Sequence, residues 1–289
     1  MLSGDGAGGA AAEIDPRATP VLAASGVSVS FGGVHAVVDV DLEVGAGRLV
    51  GLIGPNGAGK TTFIDAISGF VRSRGRIELD GRDISGLEPH ERARFGLART
   101  WQSIELFDDL TVRENLLVAS HRPTVWQTIR ETVSKPGPGA VEVRPVLELL
   151  GLEPVADELP TELSQGQRKL VGIARALVAA PRLVCLDEPA AGLDTQESEE
   201  LGRRLRTLAD GGQSMLLVDH DMGLVLGICD EVVVLEFGEV ISRGAPEDVR
   251  RDQRVVSAYL GSAAATVATA ALDTAAARAH ERVEGDAHE

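Results

Sequence analysis

Cysteine is almost missing from this chain, 2 in 289 residues. Two thiols cannot frame a disulfide-held fold, and both lie in apolar runs, Cys185 in LVCLD and Cys229 in LGIC, which predicts buried structural thiols in a reducing compartment. Basic residues are also in deficit, 28 against 44 acidic, for a formal net charge of −16. A chain this acidic is not suited to coating nucleic acid or an anionic lipid surface, so any polyanionic ligand has to be held locally. Long hydrophobic runs are lacking too. A long uncharged stretch, Val255 to Leu272, is mostly Ala, Ser, Thr and Gly, too weakly apolar for a bilayer core that takes about 20 apolar residues. Residues 1–20 have neither the positive cluster nor the apolar centre of a secretory signal. These absences predict a cytosolic chain.

What remains is globular in composition, 44% hydrophobic and 25% charged, and long enough for one large α/β domain or two small ones. Residues 1–20 are Gly/Ala-rich and residues 262–289 Ala-rich, which predicts two disordered tails around an ordered core over 21–261. At the front of that core, Val27–Phe31 and the alternation of Val38, Val40, Leu42 and Val44 with acidic residues predict antiparallel strands with one buried face. Near-continuous apolar runs follow at Leu49–Ile53, Leu183–Leu186, Met215–Val218 and Val232–Leu235, separated by helical stretches, as in strands buried on both faces of a parallel sheet. Thr111 and Glu114 form a capping box before one helix, and Ser164 caps another running to about Ala180. The proline-interrupted residues 121–145 mark an insertion between them.

The strongest chemical signal is Gly54-Pro55-Asn56-Gly57-Ala58-Gly59-Lys60-Thr61, followed by Thr62. It fits the phosphate-loop pattern G-x-x-x-x-G-K-[ST] and sits between an apolar strand and a helical stretch, the context that such a loop requires. Chance is a poor explanation, since a shuffled chain of this composition yields about 0.004 matches. Glycines let backbone N–H groups turn toward phosphate oxygens, the helix N-terminus adds its dipole, Lys60 adds charge, and the Thr61 hydroxyl can ligate Mg²⁺. Downstream, LVCL runs into Asp187-Glu188. A carboxylate at the end of a parallel strand can organise Mg²⁺ beside a phosphate loop, and the adjacent Glu188 can orient or deprotonate an attacking water.

With Leu163-Ser164-Gln165-Gly166-Gln167, Gln102, Leu193-Asp194 and His220 added in this order along the chain, residues 21–261 resemble the nucleotide-binding subunits of ATP-binding cassette (ABC) transporters. That resemblance implies a phosphate-loop NTPase fold: a RecA-like, mostly parallel core sheet, an antiparallel β subdomain and an inserted α-helical subdomain over about 103–180. It implies that ATP and Mg²⁺ are bound and ATP hydrolysed. Lys60 and the loop amides would hold phosphates, Thr61, Gln102 and Asp187 would organise the metal, Glu188 would be the base, and His220 would sense the γ-phosphate. Ser164 and Gly166 would close over ATP held by a second subunit in a head-to-tail homo- or heterodimer. For Phe31 two readings stand, stacking on adenine or packing in the core. For Asp194 a loop linking the two sites and a helix N-cap both fit.

The stretches RTWQSIELFDDLTVRENLLVA, LDEPAAGLD, DHDMGLVLGICDEVVVLEFGEVISRGAPEDVR and VVSAYLG resemble the branched-chain amino-acid importer subgroup. Departures are Gln165 for Tyr or Gly, Trp101 for Phe and Asp194 for Asn. The resemblance implies membrane permease subunits as partners, a periplasmic or extracellular solute-binding protein acting indirectly, no nucleic acid, and a peripheral position at the inner face of the cell membrane. Ile104, Leu106, Phe107 and Leu110 either line the groove that receives the permease or belong to the core of the helical lobe. Urea and short-chain amide importers share the pattern. An ABC ATPase of DNA repair would need a long heptad insertion, and one of translation a second cassette; neither is present.

Overall fold

The structure, a computed structural model, describes residues 19–101, 105–120 and 142–259. Strands β1 (Leu22–Phe31), β2 (Val34–Val44), β4 (Arg74–Leu79) and β5 (Arg82–Asp83) make an antiparallel sheet in the order β2-β1-β4-β5. The predicted alternation holds from Val40 on, with Val40, Leu42 and Val44 fully buried while Asp41 and Glu43 face out; before it, the left-handed Asp39 (φ 49°) shifts the phase, so that Val37 is buried and Val38 only half-buried. A second sheet has the order β10-β9-β3-β8-β7-β6, built from β3 (Leu49–Ile53), β6 (Leu97–Arg99), β7 (Leu183–Asp187), β8 (Ser214–Val218), β9 (Glu231–Glu236) and β10 (Glu239–Gly244). All its neighbours run parallel except β10, which turns back against β9.

The apolar runs are explained by the two faces of this sheet. Leu49, Ile53, Leu186, Leu217 and Val234 point into one cluster, with the helices of residues 144–228. Val50, Leu52, Leu216, Val218 and Leu235 point into the other, with Phe63 and the antiparallel sheet. A strand covered on both sides has no position left for a polar residue. Cys185 and Cys229 are buried, as expected, and burial pushes both thiols up to about 12.

Helix α1 (Lys60–Ser68) follows β3, and α2 (Pro89–Arg94) packs behind it. The Arg92 guanidinium, 3% exposed, donates to Ala66 O and Ile67 O at 2.7 Å each, to Ser85 O at 2.8 Å and to Leu87 O at 3.0 Å. It thus satisfies the last carbonyls of the helix that begins at the phosphate loop, where a cation also complements the helix dipole. Arg92→Ala should destabilise the fold by about 3 kcal/mol, read from urea unfolding, because it orphans several buried carbonyls at once.

The helical lobe contains α3 (Val112–Ser120), α4 (Arg144–Leu150) and α5 (Gln165–Leu177). Helices α6 (Thr195–Asp210), α7 (Met222–Ile228) and α8 (Pro246–Arg251) cover the core sheet. Both predicted caps form: Thr111 and Glu114 bond reciprocally, and the Ser164 hydroxyl accepts from Gln167 N while Gln167 Oε1 accepts from Ser164 N. Two boundaries differ from expectation. Helix α5 stops at Leu177 rather than about Ala180, whose φ of 47° leaves the right-handed region. At the first hairpin, β1 starts at Leu22 rather than Val27 and β2 at Val34 rather than Val38, because cross-strand pairing carries these further residues into the ladder. The predicted tails, apart from Thr19 and Pro20, and most of the proline-rich insertion lie outside the described residues.

Candidate functional site

The turn from β3 into α1 is built on close backbone approaches. At Gly54 (φ 151°) a Cβ would lie 2.1 Å from Leu235 O, and at Gly59 (φ 102°) 2.4 Å from Ala36 O, so neither position accepts a side chain. Gly57 (φ 81°) has open space around it. Asn56, Gly57 and Thr61 are exposed at the lip, Pro55, Gly59 and Thr62 half-buried, and Ala58 and Lys60 buried. The Lys60 ammonium donates to Gly54 O at 2.7 Å and Pro55 O at 3.1 Å. Burial lowers its pKa from 10.5, against the opposing pull of Glu188, Asp187 and Asp219. Three carboxylates therefore converge on the lysine from the ends of β7 and β8.

Asp187 ends β7 and is 5% exposed. Arg99, at the end of the neighbouring β6, donates to Asp187 Oδ2 at 2.8 Å and to Asp65 Oδ1 on α1 at 2.6 Å. Its Nε has no hydrogen-bond partner among the described residues, and the guanidinium carbon lies 4.3 Å from the Trp101 ring centre. The next residue, Glu188, has φ 47°, a left-handed conformation that costs a non-glycine residue about 1–3 kcal/mol and clusters at functional sites. Its N–H donates to Val218 O at 2.7 Å, which ties its backbone to the end of β8.

Beyond β8, the fully buried Asp219 takes the N–H groups of His220 (2.8 Å) and Asp221 (3.0 Å) on Oδ1 and that of Ala190 (3.1 Å) on Oδ2. One carboxylate thus ties the segment after Glu188 to His220, whose Nδ1 stands 3.9 Å from Glu188 Oε2. Lys169, buried on α5, feels Asp219 and Glu188 as its opposing charges, while burial lowers its pKa. Sequence reading passed over Arg99, Asp219 and Lys169. Each adjoins a motif, but a lone basic or acidic residue carries no periodicity or spacing that separates a buried partner from a solvated one.

The other candidates fall around this centre. Phe31 is 51% exposed at the β1–β2 turn, so it is not a core residue. Asp194 caps α6, accepting from Glu197 N at 2.8 Å. Ser164 is exposed and Gly166 half-buried in the first turn of α5. Gln102 and Ile104 lie outside the described residues. Leu106 packs against the core, whereas Phe107 is 44% exposed and so is not a core residue. Nearby, a cavity of about 550 Å³ is lined by Arg99, Trp101, Lys169, Arg175 and Pro189.

Among the described residues no three His, Cys, Asp or Glu side chains gather into a metal cage. The oxygen donors at hand, the Asp187 carboxylate and the Thr61 hydroxyl, suit a hard divalent cation that keeps its waters and takes the rest of its shell from substrate phosphates, the usual habit of Mg²⁺. No helix among the described residues is long and apolar enough to cross a membrane.

Residues 37–191 match the family described as ABC transporter, and residues 239–265 the one described as branched-chain amino acid ATP-binding cassette transporter. The high-affinity branched-chain amino acid transport ATP-binding protein BraF of Pseudomonas aeruginosa is 39% identical, over 84% of this chain and 99% of its own. The LivG protein of Salmonella typhimurium, with the same description, is 38% identical over the same shares. Among solved structures, an ATP-binding cassette of an ABC transporter in its ADP conformation superposes with a TM-score of 0.74 at 31% identity, over 84% of this chain and 99% of that one.

Proposed function

The chain belongs to the ABC transporter family, and from that premise we propose that it is the ATP-hydrolysing subunit of an importer for branched-chain amino acids, working through separate membrane permease subunits. The solute rests on the names of the relatives and on the match at residues 239–265. The observation that carries the enzymatic part is the buried Lys60, held on the phosphate-loop carbonyls and faced by Asp187, Glu188 and Asp219. A triphosphate can replace those carbonyls as the acceptor for its ammonium.

In the proposed mechanism Lys60 and the amides from Gly54 to Thr62 hold the phosphates, and Phe31 offers its exposed ring to adenine. Thr61, Asp187 and Gln102 would hold Mg²⁺, which would neutralise charge on the phosphates. Glu188 accepts the proton of the attacking water, and His220 donates to the γ-phosphate from beside it. Ser164 and Gly166 complete the site of a second subunit, with Asp194 at the junction. Lacking a span among its described residues, the chain works peripherally at the inner membrane face, on its permease. Uptake of labelled leucine, isoleucine, valine and urea by cells deleted for this chain tests the solute. Loss of the three amino acids, restored by the intact gene, is expected; loss of urea uptake alone overturns the assignment.

A further inference from the structure

The amides that would receive the second subunit's nucleotide are already in use. Gly166, the second residue of α5, donates its N–H to Glu197 Oε1 at 3.0 Å. The Ser164 hydroxyl accepts from Gln167 N at 3.2 Å. A Cβ on Gly166 would meet Glu197 Oε1 at 3.1 Å and its carboxyl carbon at 3.3 Å, so the carboxylate lies flat against the space that glycine leaves open.

Glu197 is well held there. It is half-buried in the first turn of α6, and its own N–H is fixed by the Asp194 carboxylate at 2.8 Å. Its side chain thus lies between the N-terminal turns of two helices, α5 and α6, both of which attract negative charge. A charge-assisted bond to a helix N-terminus is among the stronger polar contacts, and an arriving phosphate competes for the same amide. The two negative groups also repel each other.

We infer that Glu197 is the resident anion of the Ser164–Gly166 site, a residue that a triphosphate held by the second subunit has to displace, and so one that sets the ATP concentration at which the two subunits close. The inference rests on the composite site proposed above. It makes the isolated chain self-satisfied at the N-terminus of α5 and places a threshold on closure, because each of the two sites gives up one internal bond per event.

The test uses the full chain carrying Glu188→Gln, which slows hydrolysis and lets an ATP-bound dimer accumulate, with dimerisation followed by light scattering across an ATP titration. Glu197→Gln keeps the length and an acceptor for Gly166 N–H but removes the charge; Glu197→Ala removes both. In this background each is expected to lower the half-maximal ATP concentration, Glu197→Gln by about tenfold, while ADP fails to dimerise any variant. Should Glu197→Ala melt early, Glu197→Gln decides. A parent that dimerises with no decrease in the ATP requirement of the double variants overturns the role of Glu197 alone and leaves it a plain helix contact. A parent that stays monomeric at saturating ATP overturns the composite site and this inference with it.

Discussion

Glu188→Gln is expected to bind ATP as tightly as the parent and to hydrolyse it about 10²–10⁴-fold more slowly, the range that a positioned general base contributes. The substitution keeps the side chain's shape, so the left-handed backbone at φ 47° and the bond from its N–H to Val218 O stay as they are. What is lost is the ability to accept a proton, beside a His220 whose Nδ1 is 3.9 Å away. Steady-state phosphate release together with equilibrium binding of a fluorescent ATP analogue separates the two effects. Hydrolysis near the parent rate would remove Glu188 from the base role. A matching fall in nucleotide binding would show that the carboxylate holds the site together instead of acting on water.

Lys60→Met should have its effect on the opposite quantity. The ammonium is 6% exposed and bonds two carbonyls of its own loop, so the parent carries a desolvated cation already aimed into the phosphate cradle. Methionine fills similar space without charge or donors. It removes a cation whose charge opposes Glu188, Asp187 and Asp219, and ATP affinity is expected to fall by at least about 100-fold from the loss of charge-assisted bonds to the phosphates and the weaker screening of those carboxylates. Fluorescent-nucleotide titration measures this, and a thermal melt close to the parent's distinguishes lost binding from lost folding. Affinity within a few-fold of the parent would mean that the loop amides alone carry the phosphates.

Much of this was readable along the chain because the relevant signals are local. The phosphate loop is contiguous, the strand preceding Asp187 is a single apolar run, and the caps at Thr111 and Ser164 depend on residues three apart. Elements that lack such signals were not anticipated: β4, β5 and β6 are short, polar or both, and exist because a neighbouring strand offers them pairing. Phe31 could not be assigned from sequence, since an aromatic at a strand end suits core and ligand equally; its exposure in the fold decided against the core.

The amino-acid order by itself determined that this chain is a phosphate-loop ATPase, acidic overall. That much is carried by short-range pattern: glycine spacing, apolar runs and caps. Tertiary structure alone decided who stands beside whom. Arg99 clamps Asp187 to Asp65 from the next strand, Asp219 joins the Glu188 and His220 segments, and Glu197 fills the amide of Gly166 from a different helix. Such contacts join residues far apart in the chain through buried charge, and a buried charge acquires its meaning only from the partner that folding brings to it.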